Sequence, residues 1–334
     1  MSLQDFERVK LITLQRRIAS AMRRFEEEFA AVTTGDTRLT REICAHILQG
    51  KSKRFRPTLL LLSAKSRNGL DRRAITAAAC VELVHTATLV HDDFIDAALT
   101  RRGQASINEA WGGSAALIMG DYLYSKALEI LCRNGLDDAV RLLSSTTLLM
   151  SEAEMLQLEL KYDLSISEEQ YLRIIYQKTA SLIEASCRIG ASLNPQVQDH
   201  AEAFGSFGRK LGLVFQITDD IFDYLGDARR LGKPTGQDWE EGRITLPLIA
   251  ALKTAGFNSP EARTLQAAAR DGQERSRSWP AVKTFVTNHG GVEYAFTKAR
   301  QYGEEAKAAL APVASGTQKD LLAVAVEYVI NRLN

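Results

Sequence analysis

The chain has 334 residues, with 42 lysines and arginines against 41 aspartates and glutamates, giving a formal net charge of +1. Hydrophobic residues make up 45% of the chain, which is typical of a globular protein whose core needs no disulfide or structural metal. Because the charges balance, the composition provides no general attraction to nucleic acid or to an anionic membrane. We therefore expect no nucleic-acid partner, and any anion site must be local.

The four cysteines, at positions 44, 80, 132 and 187, are too far apart for a CxxC metal site and too few for a secreted disulfide framework. A cytoplasmic location is therefore expected. The first 20 residues, MSLQDFERVKLITLQRRIAS, include acidic residues and lack the apolar centre of a signal peptide. No later stretch approaches 18 uninterrupted apolar residues, so we expect no membrane-spanning helix.

Prolines occur at only seven positions, and none lies within residues 58–194, which favours long helices there. Apolar residues recur at helical spacing from Leu142 to Leu160, whereas alternating strand-like patterns are scarce. Residues 66–71 and 226–242 are the clearest breaks, and they have the composition of loops rather than linkers. The sequence therefore predicts an all-α fold with a single domain over residues 1–334.

Two clusters read Asp-Asp-x-x-Asp, HDDFID at residues 91–96 and TDDIFD at residues 218–223. On a helix, the first and last aspartates of each cluster lie one turn apart on the same face, where like charges reduce stability. A solvated acidic face or a helix N-cap would explain one such cluster, but two are better explained by a hard divalent cation. The candidate metal ligands are Asp92, Asp93, Asp96, Asp219, Asp220 and Asp223.

Oxygen-only ligands, few of them from the protein, suit Mg²⁺ that is shared with substrate phosphates. Zinc is disfavoured because no cysteine or histidine cluster has the spacing of its ligands. The clusters therefore predict a magnesium–diphosphate site.

Basic residues lie close to these clusters in the sequence. Arg101 and Arg102 follow the first cluster, while Lys53 and Arg56 belong to the segment KSKRFRP at residues 51–57. Each could be ordinary surface charge, but guanidinium groups beside a metal site are suited to binding a polyanion. Neither GxxxxGK nor GxGxxG occurs, so nucleotide binding has little support. Two lysines extend the same pattern, Lys178 and Lys233.

His85 stands seven residues before Asp92, two helical turns along the same face. A lone histidine on an apolar helix is more often a core residue than a ligand contact. Its position relative to the cluster nevertheless allows it to share a cleft with the metal site.

These motifs together resemble the trans-isoprenyl diphosphate synthases, the polyprenyl synthetase family. HDDFIDAALTRRG is similar to the family's first aspartate-rich motif, and KRFRP to its GKRxRP loop. FQITDDIFDYLGD and the following GKPTGQDWEEGRITLPL are similar to its second motif. Ser52 stands where the family usually has glycine, and Arg243 where lysine is frequent. The resemblance implies one large helical bundle with a central catalytic cavity, acting as a homodimer.

The resemblance also implies a role for each matching residue. Residues holding the diphosphate of isopentenyl diphosphate would be Lys53, Arg56, His85 and Arg102. Three Mg²⁺ ions would bridge aspartates and diphosphate, with Asp92, Asp96 and Asp219 as ligands. These ligands would be supported, through water or hydrogen bonds, by Asp93, Asp220 and Asp223. Residues gripping the allylic diphosphate would be Arg101, Lys178 and Lys233. The reacting carbon would be lined by Thr179 and Gln216.

In this family, a bulky residue shortly before the first cluster limits the length of the product. Here the corresponding positions hold small or branched residues, Val81, Val84, Ala87 and Thr88. We therefore expect an all-trans product of C30 or longer. An aromatic residue from another helix could still block the path, so a geranylgeranyl or farnesyl diphosphate synthase is the alternative.

Two further functions remain possible at this level. A class I terpene cyclase also carries an aspartate cluster, but its second metal motif differs from TDDIFD. A non-catalytic subunit of a heteromeric synthase would be expected to have lost aspartates that are intact here. Because long products are apolar, loose association with a membrane could assist their release.

Overall fold

The computed structural model describes residues 11–50, 52–66, 69–101, 103–225 and 235–331. Of these residues, 79% are helical and very few are in strands, so the predicted all-α class is confirmed. The residues group into two compact units, which are described separately. The single-domain interpretation of the sequence stays a prediction.

The first unit comprises the described residues of Met1–Thr147, Leu182–Ser206 and Leu310–Ala325. Its complete helices are α1 (Leu11–Arg16), α2 (Ala19–Val32), α3 (Arg38–Gln49), α4 (Phe55–Ala64), α5 (Arg72–Ile95), α6 (Ile107–Trp111) and α7 (Gly113–Arg133). Helices with residues in both units are α8 (Asp137–Glu159), α10 (Ser181–Ser192), α11 (Ala201–Leu225) and α17 (Thr317–Ile330), and a 3₁₀ turn spans Gln198–His200.

Helix α5 is the centre of this unit. Its N-cap residue is Asp71, whose side chain accepts a hydrogen bond from the backbone N–H of Arg73 at 2.9 Å. Alanine, valine and leucine residues surround its axis on all sides, so it packs against α2, α4 and α7 rather than lying on a surface. By length and composition it could span a membrane, but 72% of its apolar 18-residue stretch is buried inside the protein. The first aspartate cluster lies at its C-terminal end.

A short hairpin follows α5 and pairs β1 (Thr100–Arg101) with β2 (Gln104–Ala105) in antiparallel register. The chain reverses at Gly103, whose φ of 82° lies in the left-handed region that glycine adopts without strain. The hairpin turns the basic segment after the first cluster back toward the end of α5. Arg101 is thereby fixed near the aspartates instead of extending away from them.

The second unit comprises the described residues of Leu148–Ser181, Phe207–Ala309 and Val326–Asn334. Its complete helical elements are α9 (Glu168–Ile175), a π-helical segment (Tyr176–Ala180), α12 (Gln237–Glu240), α13 (Leu246–Ala255), α14 (Pro260–Arg270), α15 (Gly272–Asn288) and α16 (Gly291–Ala309). Its core is formed where α13 packs against α15 and α16. The short helix α12 lies inside the segment 226–242 that was predicted to be a loop.

Candidate active site

The loop before α4 is held by a half-buried arginine. Arg54 donates two hydrogen bonds to the carboxylate of Glu26 on α2, from Nε at 3.0 Å and from Nη2 at 3.1 Å. Its Nη1 donates to Oε1 of Glu82 on α5 at 3.0 Å. Burial lowers the pKa of Arg54, but the two carboxylates outweigh this and raise it above its ordinary value. This arginine therefore joins the loop to two helices of the first unit.

Two predicted diphosphate ligands meet beside this loop. Arg56 Nη1 lies 3.1 Å from His85 Nε2, and because a guanidinium can only donate, His85 accepts at this nitrogen. Lys53 is exposed, and its carbonyl accepts a hydrogen bond from Gln15 Nε2 at 3.0 Å. The structure thus brings a cationic side chain and a neutral imidazole together, with a second cation nearby along the chain.

In the first aspartate cluster, one carboxylate forms an ion pair within the protein. Asp93 is buried, and Arg101 Nε donates to both of its oxygens at 2.6 Å. No described residue accepts a hydrogen bond from the two terminal nitrogens of Arg101, whose side chain is 34% exposed. Asp92 is half-buried and Asp96 is exposed at the end of α5. Asp93 therefore orients Arg101, while the other two carboxylates reach the surface.

Some of these groups line a cleft of about 630 Å³ that is partly open to solvent, whereas Lys53, Arg56, Asp92 and Asp96 are not among its lining residues. Its wall combines cations, carboxylates and apolar side chains of α5. The polar residues lining it include Ser52, Arg54, Glu82, His85, Asp93 and Arg101. A cleft with convergent polar groups of both signs is suited to an anionic ligand that is accompanied by a cation.

The second aspartate cluster, in the second unit, is built into a hydrogen-bond chain. Thr179 Oγ1 donates to Gln216 Oε1 at 2.8 Å, and Gln216 Nε2 donates to Asp220 Oδ1 at 2.8 Å. Tyr171 donates its hydroxyl proton to the other oxygen, Oδ2, of Asp220 at 2.6 Å. The amide of Gln216 must have this orientation, because the flipped form would place its oxygen against a carboxylate.

Asp223 has a different environment. Its Oδ1 accepts hydrogen bonds from the backbone N–H groups of Gly236 and Gln237 at 2.9 and 3.2 Å, and its Oδ2 accepts one from Asp238 at 3.1 Å. These three bonds anchor the start of α12. Burial and the charge of Asp238 raise the pKa of Asp223 to about 6, although the three N–H groups act in the opposite direction.

Burial and the charge of Asp238 also raise the pKa of Asp220 well above its ordinary value. The neighbouring Asp219 adds to this effect and is itself half-buried. The second cluster therefore holds more negative charge than its protein donors neutralise. A divalent cation with a preference for oxygen ligands fits this donor set. Within the described residues, no three carboxylates, histidines or cysteines form a complete metal cage.

Lys178 lies in the π-helical segment and contacts Glu154 at 2.5 Å. Both side chains are about three-quarters buried, so this ion pair is shielded from water. A π-helical turn is uncommon and is frequent at functional sites, because it changes the faces that successive residues present. Here the turn carries both Lys178 and Thr179.

A close helix contact allows the bond between Thr179 and Gln216. A Cβ atom at Gly212 on α11 would lie 2.4 Å from the Cα of Ala180, closer than real Cβ contacts permit. Only glycine lets α11 approach the π-helical segment at this point. Gln216 follows Gly212 by one helical turn, so the same approach places its amide within reach of Thr179.

The residues predicted to set product length lie in the interior of the first unit. Val81, Val84 and Ala87 are almost completely buried, and Thr88 is half-buried with its hydroxyl donating to the carbonyl of His85. At the three buried positions α5 is packed, so a growing chain would have to displace neighbouring side chains. Their assignment to chain-length control stays a prediction. Arg102 and Lys233, two further predicted ligands, lie outside the described residues.

Comparison with known proteins agrees with this arrangement. Residues 37–287 match the sequence model of the family described as polyprenyl synthetase. The octaprenyl diphosphate synthase of Escherichia coli (strain K12) is 34% identical over 276 residues, covering 82% of this chain and 84% of that protein. The chain belongs to the polyprenyl synthetase family. The family predicted from the motifs is thereby confirmed, together with its class of reaction, prenyl transfer.

Other members of the family are similar to this polyprenyl synthetase. The geranylgeranyl diphosphate synthase of Methanosarcina mazei is 34% identical over 297 residues, covering 86% of this chain and 88% of that protein. Nonaprenyl and decaprenyl diphosphate synthases are also among the similar proteins. A crystal structure of a polyprenyl synthase from Caulobacter crescentus CB15, complexed with calcium and isoprenyl diphosphate, has a TM-score of 0.89 and 29% identity. It covers 98% of this chain and 99% of that one.

Sequence reasoning missed several polar residues of this synthetase. Arg54 lies inside the KRFRP motif, but the resemblance implies a role only for Lys53 and Arg56. Glu82 lies three residues before His85, and Tyr171 lies 49 residues from its partner Asp220. A buried glutamate in an apolar run was an available signal for Glu82. No local pattern marks Tyr171 or Glu154, because their partners are distant in sequence.

Substituting Gly212 by alanine is expected to lower the free energy of unfolding by about 1–3 kcal/mol, since the new Cβ must push α11 away from Ala180. Chemical denaturation measures this loss. Gly205→Ala on the same helix is the matched control, because the atoms nearest to its Cβ would be Arg188 side-chain atoms at 3.6 Å or more. That variant should be neutral or more stable. Equal behaviour of the two variants would contradict the close-contact explanation.

Replacing Tyr171 by phenylalanine leaves the buried Asp220 with one side-chain donor fewer. We expect the free energy of unfolding to fall by about 1–3 kcal/mol, again measured by chemical denaturation. Tyr224→Phe on α11 is the control, since among the described residues its hydroxyl has one hydrogen-bond partner, the Thr245 hydroxyl at 3.5 Å. A loss for Tyr224→Phe as large as for Tyr171→Phe would show that burial alone, and not the carboxylate, sets the effect.

Proposed function

We propose that the protein is a Mg²⁺-dependent prenyltransferase that condenses isopentenyl diphosphate head-to-tail onto an allylic diphosphate. Its product is an all-trans polyprenyl diphosphate of C30 or longer. The observation that carries the proposal is the cleft at the end of α5, where His85 and Arg101 converge beside the first aspartate cluster. Such a wall provides donors for phosphate oxygens next to carboxylates for a cation.

Asp92, Asp96 and Asp219 hold Mg²⁺ in this proposal, with three ions in total. Bound Mg²⁺ withdraws charge from the allylic diphosphate and makes it a better leaving group. Support comes from the oxygen-only donor set, from the raised pKa of Asp220 and Asp223, and from the calcium and isoprenyl diphosphate bound to the Caulobacter protein. Asp93, Asp220 and Asp223 act as supporting groups, because their oxygens already accept protein hydrogen bonds.

Lys53, Arg56 and His85 bind the diphosphate of isopentenyl diphosphate, together with Arg102. Arg101 directs its terminal nitrogens to the allylic diphosphate while Asp93 fixes its Nε. Lys178 and Lys233 are further cations that this proposal assigns to the allylic diphosphate. Each arginine or lysine offsets part of the negative charge of a diphosphate. Without these cations, transferring the diphosphate from water into the protein would cost free energy.

Thr179 and Gln216 stabilise the positive charge that develops on the allylic carbon. Since Thr179 donates its proton to Gln216, the lone pairs of its oxygen remain available to face a cation. Asp220 holds the amide of Gln216, so these dipoles are oriented before the reaction begins. The double bond of isopentenyl diphosphate attacks this carbon, and the proton lost afterwards passes to the released diphosphate.

The long product is supported by the octaprenyl, nonaprenyl and decaprenyl synthases among the relatives, and by the lack of a bulky residue just before the first cluster. A homodimer in the cytoplasm completes the proposal. Leu117 and Ile118 on α7 are 43% and 68% exposed, as expected of residues that a second copy would cover. Loose association with a membrane would help an apolar product to leave.

The deciding experiment incubates the protein with radiolabelled isopentenyl diphosphate, farnesyl diphosphate, Mg²⁺ and detergent, and resolves the products by chain length. We expect a ladder reaching C30 to C50. Products that stop at C20 would keep the chemistry and select the geranylgeranyl alternative. Condensation that requires an added second protein would select the heteromeric alternative, and a cyclic hydrocarbon would select a terpene cyclase. Omitting Mg²⁺ is the control and should abolish the ladder.

Replacing Ala87 by phenylalanine is expected to shorten the product, because a ring at this packed position would add bulk that a growing chain has to displace. Leu89→Phe is the matched control, because it adds a ring on the cleft-lining face of the same helix, two residues from Ala87. Product length, measured at equal total incorporation, should fall for Ala87→Phe and stay unchanged for Leu89→Phe. An unchanged distribution of product lengths in Ala87→Phe would show that this face of α5 does not control product length.

A further inference from the structure

We propose that Glu82 is the positioning residue of the diphosphate-binding loop, and that it acts through Ser52 and Arg54. The proposal rests on the proposed function, since it concerns the loop that carries Lys53 and Arg56. Glu82 itself is a part of α5 and touches no substrate in this scheme. Its carboxylate instead determines where the two cations of the loop lie.

Glu82 is a buried carboxylate with two donors from the same loop. Its side chain is 3% exposed, and its Oε1 accepts hydrogen bonds from Ser52 Oγ at 2.9 Å and from Arg54 Nη1 at 3.0 Å. The hydroxyl of Ser52 also accepts from the backbone N–H of Arg54 at 3.3 Å. One oxygen atom therefore fixes both a side chain and, through Ser52, the backbone of the next residues.

The backbone at Arg54 needs such fixing. Its φ of 52° and ψ of 37° are left-handed, a conformation that a non-glycine residue adopts only when its surroundings impose it. The surroundings here are Glu82, the carboxylate of Glu26, and the ring of Phe29, which lies 4.4 Å from the guanidinium carbon. Contacts on three sides of one side chain hold the loop in a single conformation.

That conformation places the neighbouring cations. Lys53 and Arg56 flank Arg54 in the sequence, and Arg56 reaches His85, which follows Glu82 on the next turn of α5. Consecutive turns of one helix thus hold the loop at two points, at Glu82 and at His85. If Arg54 left the left-handed region, the chain would change direction between Lys53 and Arg56. The positions of the two cations relative to each other would then change.

Ser52 contributes to this arrangement through its hydroxyl group, which donates to Glu82 and accepts from the backbone N–H of Arg54. A residue without a hydroxyl group could not make these two contacts, and glycine would also leave the loop more conformational freedom. The buried side of the loop is thereby held by Glu82.

The competing explanation is that Glu82 only forms a structural ion pair. The two explanations predict opposite changes in anion affinity when the negative charge of Glu82 is removed. Removing a negative charge beside a diphosphate site should strengthen anion binding if electrostatics alone operate. Loss of loop positioning should weaken it. The direction of the change in affinity therefore separates positioning from simple charge.

The test compares Glu82→Gln and Ser52→Ala with the wild type. We expect the KM for isopentenyl diphosphate to rise by about threefold to tenfold in each, the size expected for the loss of one typical hydrogen bond. The kcat should stay within about twofold, and the KM for the allylic substrate should not change. The double variant should show less than the product of the two single effects, because both act through one contact.

Thr76→Val is the matched control. Thr76 is buried on α5 and donates to Glu28 on α2 at 3.2 Å, so it too is a polar link between these helices, but it lies away from the loop. It should lower the thermal stability without changing either KM. Unchanged or lower KM for isopentenyl diphosphate in Glu82→Gln and Ser52→Ala would overturn the proposal. So would an equal rise in Thr76→Val.

Two measurements decide the proposal independently of turnover. Hydrogen exchange at the backbone amides of residues 52–58 should be faster in both variants, and calorimetry should show weaker binding of inorganic pyrophosphate. Absence of condensation by the wild type would refute the proposed function alone, since these two measurements still report on the loop. Exchange rates and pyrophosphate binding equal to those of the wild type would refute the positioning role.

Discussion

Carboxylates of like charge at the ends of two helices are the constraint on which the rest of the structure depends. Placed in an apolar setting, such groups would repel one another and favour unfolding unless each had a donor. The protein provides donors of three kinds: the guanidinium of Arg101 for Asp93, side-chain hydroxyl and amide groups for Asp220, and backbone N–H groups for Asp223. What remains uncompensated is the charge that a bound cation would balance.

The choice of donors also arranges the surrounding parts. The donor of Asp93 is held by a hairpin that turns at Gly103, and the donors of Asp223 form the start of α12. The donors of Asp220 connect α9 and the π-helical segment to α11. Each carboxylate thus organises a piece of irregular backbone next to it. The helices supply the acidic groups, and neighbouring segments supply the donors that satisfy them.

The sequence predicted the helical class, the family and the two aspartate clusters, because these depend on periodicity and on residues close together in the chain. It did not predict which aspartates would accept hydrogen bonds from the protein, because the donors come from elsewhere: Tyr171 is 49 residues from Asp220. Glu82 and Arg54 were overlooked for the same reason, being 28 residues apart. Long-range pairs are decided by helix packing, and no local pattern encodes them.

Local rules also failed where packing overrides them. The π-helical turn at Tyr176–Ala180 has no sequence signature, and it coincides with the close approach of Gly212. Likewise, α12 forms within a stretch rich in loop residues because the carboxylate of Asp223 accepts its first N–H groups. Small residues before the first cluster suggested open space, yet the helix is packed at Val81 and Val84. Side-chain size alone does not determine whether space is left empty.

The π-helical turn has a consequence for how this protein can change over evolution. In an ordinary helix, losing one residue turns everything beyond it by about 100°. A deletion within Tyr176–Ala180 would restore regular α-helical winding but would rotate Lys178 and Thr179 relative to Tyr171. A substitution at a surrounding position leaves this geometry in place, whereas a change in the number of residues does not. We therefore expect the spacing between Tyr171 and Thr179 to tolerate substitutions but not deletions.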